Sequence, residues 1–171
     1  MKQVATVRLD SKYAVRVIAL GAVLTLAVVA QGLLISGGFS ASDGFYYLFA
    51  TALAIALHEP LHAVAMKLLR VKAKVSLVKA HGVPIALATA YSKIGVRDYV
   101  IATLAPQAIS ALLLSLALSL RSLALFLSYA IHVVSSSCDF YNILFTLIKA
   151  KTLSGFWIAE GGEYKLYINE A

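Results

Sequence analysis

The stretch FYYLFATALAIALHEPLHAVAMKLL, Phe45 to Leu69, carries two signals that seldom coincide. It is apolar over more than the roughly 20 residues that a helix needs to cross a bilayer. It also contains His58-Glu59-Pro60-Leu61-His62, an H-E-x-x-H motif. On a helix, imidazoles at i and i+4 share one face, the spacing that lets both grip a zinc ion while the glutamate works as general base. Two histidines and a glutamate at hydrocarbon depth are costly unless they pair or ligate something. With 4 His in 171 residues, the motif arises by chance with a probability of roughly 0.002.

Working outward, 61% of residues are hydrophobic and 13% charged, with a mean hydropathy of +0.85. Soluble domains are about half apolar and a quarter charged, so the composition is that of an integral membrane protein. Four apolar stretches are each long enough to span: Tyr13 to Gly37, Phe45 to Leu69, Tyr99 to Leu120 and Ser122 to Ala150. The expected fold is therefore an all-α membrane bundle of four transmembrane helices in a single domain over residues 1–171.

A net charge of +7 would suggest nucleic acid in a soluble domain. Here it sets orientation instead, because basic residues collect on the cytoplasmic side of membrane helices. With both termini cytoplasmic, Lys2, Arg8, Lys12 and Arg16, the central-loop cations and Lys149, Lys151 and Lys165 all lie inside. Only Arg121, in the tight Leu120-Arg121-Ser122 turn, lies outside. The expectation is a multi-pass protein of the cell membrane, in contact with lipid and with no nucleic-acid partner. The first apolar stretch exceeds a signal h-region of about 7 to 15 residues and reads as a retained anchor. Cys138 is the only cysteine, which excludes an intrachain disulfide and any multi-cysteine zinc site.

Residues 71–96 are too polar to span. Val71 to Lys79 alternates in part, Ala80-His81-Gly82 supplies a turn and Val83 to Tyr91 is β-prone, so a cytoplasmic-side β-hairpin is expected between the second and third helices. A short C-terminal β-hairpin is expected where Phe156 to Glu160 and Glu163 to Ile168 flank Gly161-Gly162, a loop suited to primed turns.

Two histidines do not complete a tetrahedral site; a catalytic zinc usually has three protein ligands and an open position. Asp139 is the only other acidic residue well inside a spanning stretch. Counted from Arg70 and Lys149 at 1.5 Å per residue, His58, His62 and Asp139 all sit about 12 to 18 Å deep. The same count puts His132 roughly 25 Å deep, too far for a ligand, although it lies seven residues before Asp139 on a related face. It reads as a polar residue near the outer end of the bundle, bonded to a serine, with metal entry as the alternative. His81 reads as a solvated loop histidine.

Asn142, three residues after Asp139, shares its face and is a candidate for bonding the carboxylate or for donating to an oxyanion. Gln107 enters at the same level and is a candidate for the same work or for plain interhelical bonding. Pro60 and Pro106 are expected to interrupt helical hydrogen bonding.

The motif on a membrane helix, a β-prone loop, and Ser-Ser-Ser-Cys-Asp139-Phe-Tyr-Asn142 on a later helix together resemble the putative zincin peptidase family of small membrane proteins. That family is similar in layout to the site-2 intramembrane metalloproteases. The resemblance implies zinc-dependent hydrolysis of a peptide or membrane-protein substrate within or near the bilayer. The chain lacks the Asn-Pro…Leu-Asp-Gly signature of site-2 enzymes, so Asp139 rests on position alone. In this reading His58, His62 and Asp139 hold Zn²⁺ and Glu59 is catalytic. The rival readings are a non-hydrolytic metal-binding membrane protein, either transporter or sensor, and an inactive protease-like scaffold. The sparse polarity of the outer half weighs against a transporter, and Glu59 against a binding-only site.

Overall fold

A computed structural model describes residues 1–8, 10–32, 41–80, 83–151, 154–160 and 163–168. The expected turn residues His81-Gly82 and Gly161-Gly162, and residues 33–37 of the first expected span, lie outside that set. In chain order the elements are β1 (Lys2–Arg8), α1 (Ser11–Gly32), α2 (Ala41–Leu68), β2 (Ala73–Ala80), β3 (Val83–Tyr91) and β4 (Lys93–Gly95). There follow α3 (Val96–Leu104), α4 (Gln107–Leu120), α5 (Leu123–Ser135), α6 (Ser137–Ala150), β5 (Phe156–Glu160) and β6 (Glu163–Ile168).

Among the described residues, three helical segments are long and apolar enough to cross a membrane: Ser11–Gly32, Asp43–Leu68 and Val96–Leu120. The pair α5 and α6 makes a fourth only if its two arms, bent by 48°, count as one span. Large apolar side chains face outward along α1 and α2, among them Ile18 (70% exposed), Leu26 (72%) and Phe45 (68%). An apolar surface of that extent belongs against lipid or protein rather than water, which indicates membrane association.

The mostly helical architecture with added strands matches the expectation, but the sheet is larger than the two expected hairpins. The C-terminal hairpin β5–β6 is not isolated; it is the centre of a four-stranded antiparallel sheet of order β1-β6-β5-β4. β4 is only three residues long, and β1 is rich in basic and polar residues, so neither carries a strong strand signal of its own. Pairing with β6 and β5 makes them strands. The expected central hairpin is present as the antiparallel pair β2–β3.

The chain forms two compact units: residues 1–14, 59–105 and 142–171, and residues 15–58 and 106–141. The first has a core of Met66, Ile94, Val96, Ala102, Ala150, Trp157 and Leu166, with Tyr99 meeting Tyr91 edge-on and Trp157 at a tilt, at 5.8 and 5.9 Å between ring centroids. Gly155, at φ 129, carries its backbone so close to Tyr167 that a Cβ there would collide with the Tyr167 carbonyl. Its own carbonyl accepts from Val96 N at 3.0 Å, which ties the start of α3 to the sheet.

The second unit is helical, with a core of Val28, Ala54, Leu113, Ala117, Phe126, Tyr129 and Val133. In it α4 ends at Arg121 in the left-handed conformation (φ 49), and the Ser122 hydroxyl accepts from Leu125 N to begin α5. This is the tight turn read from Leu120-Arg121-Ser122. Two breaks shape the rest. The third expected span, 99–120, begins earlier, at Val96, and is interrupted before Pro106 as proline demands. The fourth, 122–150, breaks at Ser136, where the hydroxyls of Ser135 and Ser136 and the Ser136 amide all converge on the His132 carbonyl at 2.9, 2.7 and 3.0 Å. Serine hydroxyls competing for backbone groups in this way bend helices.

Candidate metal centre

α2 runs unbroken through Pro60, so the two motif histidines stand one turn apart on one face. His62 is buried. Its Nδ1 is 2.8 Å from the Ala102 carbonyl oxygen in α3. A carbonyl only accepts, so Nδ1 bears the proton and the lone pair of the His62 ring is on Nε2.

His58 reaches the same tautomer by a longer route. Its Nδ1 lies 3.2 Å from His132 Nε2, and His132 Nδ1 lies 2.8 Å from Ser110 Oγ. Ser110 donates its single hydroxyl proton to Gln107 Oε1 at 2.9 Å. The serine oxygen must therefore accept from His132 Nδ1–H, and His132 Nε2 from His58 Nδ1–H. His58 Nε2 then carries the ring's lone pair.

That nitrogen stands 3.0 Å from Asp139 Oδ2 at the start of α6. Two lone-pair atoms at this distance repel unless a proton or a metal ion lies between them. Ligands of one tetrahedral zinc, at bonds of about 2.0 to 2.1 Å, lie about 3.3 Å apart, so the pair is close to the separation such an ion sets. One donor atom each from His58, His62 and Asp139 lies within 4.8 Å of the other two. Two imidazole nitrogens and one carboxylate oxygen, each partly or fully buried, are a donor set suited to zinc and could hold a metal ion.

The structure thus brings together the three residues expected as ligands. Glu59, the expected base, follows His58 on α2 and is half-buried. His132 requires correction: it is not remote at the outer end but in contact with His58 and almost fully buried, at 1% exposure. The depth count assumed one straight helix, and the break at Ser136 invalidates it. The expected serine partner is present as Ser110. Gln107 connects to His58 through Ser110 and His132, and its buried Nε2 has no hydrogen-bond partner among the described residues. The Asn142 carboxamide oxygen accepts from the Tyr13 hydroxyl at 3.0 Å and its carbonyl from Thr146. Sequence reasoning missed Ser110 and the Ala102 carbonyl. Ser110 follows Gln107 by three residues on one helical face, which was a usable signal; a backbone carbonyl leaves none.

Residues 51–154 match a protein family described as putative zincin peptidase. No curated protein and no solved structure matches the chain.

Proposed function

The chain belongs to the putative zincin peptidase family, and on that premise we propose that it is a zinc-dependent metallopeptidase that cleaves peptide bonds within or near the bilayer. The observation that carries this reading is the cluster of His58, His62 and Asp139 donor atoms within 4.8 Å, with both Nδ1 positions committed to other partners.

Zinc at such a site supplies Lewis-acid chemistry, acidifying a water and polarising the scissile carbonyl. The Glu59 carboxylate takes the proton of the attacking water and delivers it to the leaving amine nitrogen, so that one group serves first as base and then as acid. His58, His62 and Asp139 orient the site. The pair β2–β3 has an open edge on each strand among the described residues, and an extended substrate can add there by main-chain hydrogen bonds. A substrate helix must unwind before its carbonyl can be attacked.

In the proposed topology both termini are cytoplasmic and α5–α6 forms a fourth, bent crossing. The distribution of 14 of the 15 Lys and Arg supports it. A site-2-like arrangement fits the motif on one helix and the carboxylate on a later one.

The test is cleavage of a reconstituted membrane-spanning peptide by wild-type protein and Glu59→Gln. Wild type should cleave; Glu59→Gln should retain about one zinc per chain and lose at least about a hundredfold in rate. Undiminished cleavage by Glu59→Gln would eliminate the mechanism.

A further inference from the structure

Three polar side chains outside the motif end on His58. Gln107, Ser110 and His132 form a chain with separations of 2.9, 2.8 and 3.2 Å. Its two interior members are buried, Ser110 at 6% and His132 at 1% exposure, so bulk water is a poor substitute for either. We infer that His132 is a positioning residue for the metal centre: it fixes the tautomer and ring angle of His58, with the direction of the hydrogen bonds set from Gln107. The inference rests on the zinc reading above and adds a determinant of metal affinity to it.

The direction follows from chemistry. Gln107 Oε1 accepts and cannot donate, Ser110 has one proton to give, and neutral His132 has one N–H. Each link therefore forces the next, and the proton of His58 falls on Nδ1. Were the chain reversed, His58 Nε2 would carry a proton toward Asp139, and that proton would have to leave before a metal could bind. A ligating histidine whose second nitrogen donates to a fixed acceptor is both oriented and more basic. Here the acceptor is another imidazole. The rings of His58 and His132 are tilted by 60° with centroids 5.2 Å apart, so they meet through nitrogen rather than by stacking.

The break at Ser136 is what delivers this acceptor. Three donors hold the His132 carbonyl at the end of α5, and the 48° bend lets His132 and Asp139 both reach His58. No charge is needed on His132 for this role, only a lone pair at Nε2 and a proton at Nδ1.

The experiment measures zinc dissociation constants by chelator competition on full-length protein in detergent, for wild type, His132→Leu, His132→Gln and Ser110→Ala. His132→Leu should weaken zinc by about 10 to 100-fold. His132→Gln, whose carboxamide oxygen can accept from His58, should recover most of that loss. Ser110→Ala leaves the ring but removes the hydroxyl, and should weaken zinc by about threefold or more. It serves as the decisive variant should His132→Leu not fold. Cobalt substitution gives a second readout: the visible spectrum should change in His132→Leu and stay near wild type in His132→Gln.

Wild-type affinity in both His132→Leu and Ser110→Ala would overturn the inference and leave the zinc reading intact. Equal weakening in His132→Gln and His132→Leu would also overturn it, since packing rather than acceptance would then be at work. A wild-type protein that takes up no zinc would overturn both.

Discussion

His62 donates its Nδ1–H to the carbonyl oxygen of Ala102 at 2.8 Å, which leaves Nε2 as the only nitrogen of that ring able to ligate. The bond joins α2 to α3 at the motif. Because its acceptor is backbone, no substitution at Ala102 removes it. The same tautomer should therefore be present with and without metal. Nitrogen-15 NMR of histidine-labelled protein at neutral pH should show His62 protonated at Nδ1 in both states. An Nε2-protonated His62 in the zinc-loaded protein would contradict the ligand assignment.

Asp139 is the third ligand in this account, facing His58 Nε2 at 3.0 Å. Asp139→Ala should weaken zinc by about a hundredfold or more, since a ligand is lost outright and outer partners alone account for about 10 to 100-fold. Chelator competition measures it. Retained affinity would remove Asp139 from the site and leave the two histidines.

Gly155 sits at φ 129, where a Cβ would meet the Tyr167 carbonyl. Gly155→Ala should cost about 2 to 4 kcal/mol through backbone strain and overpacking, seen as a lower denaturation midpoint by circular dichroism. An unchanged midpoint would mean that the close approach of Gly155 to β6 is not maintained in solution.

Much of the site was legible because it is local. The two histidines are four residues apart, and one helix suffices to align them. Asp139 was reachable because few other carboxylates lie inside an apolar stretch. His132 was misplaced for a physical reason: depth at 1.5 Å per residue holds only along an unbroken helix, and the run Ser135-Ser136-Ser137 supplies hydroxyls that compete for the backbone. That run was visible in the sequence and should have suspended the count. Strands β1 and β4 were illegible on other grounds. Lys2–Arg8 and Lys93–Gly95 become strands only by pairing with distant residues, Lys2 with Ile168 and Lys93 with Ile158. Local propensity does not encode such partners.

Tyr91 gives a prediction about alkaline pH. Burial, followed by the neighbouring Tyr99 and Tyr164, holds its phenol well above the usual tyrosine range. The folded state keeps Tyr91 neutral, whereas the unfolded state ionises it near pH 10. The stability this provides is complete below pH 10 and falls as pH rises above it, by up to about 1.4 kcal/mol per pH unit. Tm measured between pH 9 and 11 should drop less steeply in Tyr91→Phe than in wild type. Parallel curves would show that Tyr91 is not the group responsible.

The central claim is that two motif histidines and a carboxylate from a later helix surround one ion, and zinc X-ray absorption on the loaded full-length protein tests it most directly. The account predicts one zinc per chain with two imidazole nitrogens at about 2.0 to 2.1 Å and oxygen ligands at about 2.0 to 2.2 Å, the imidazole signal falling by half in His58→Ala. A zinc shell lacking imidazole, or one unchanged by His58→Ala, would contradict it.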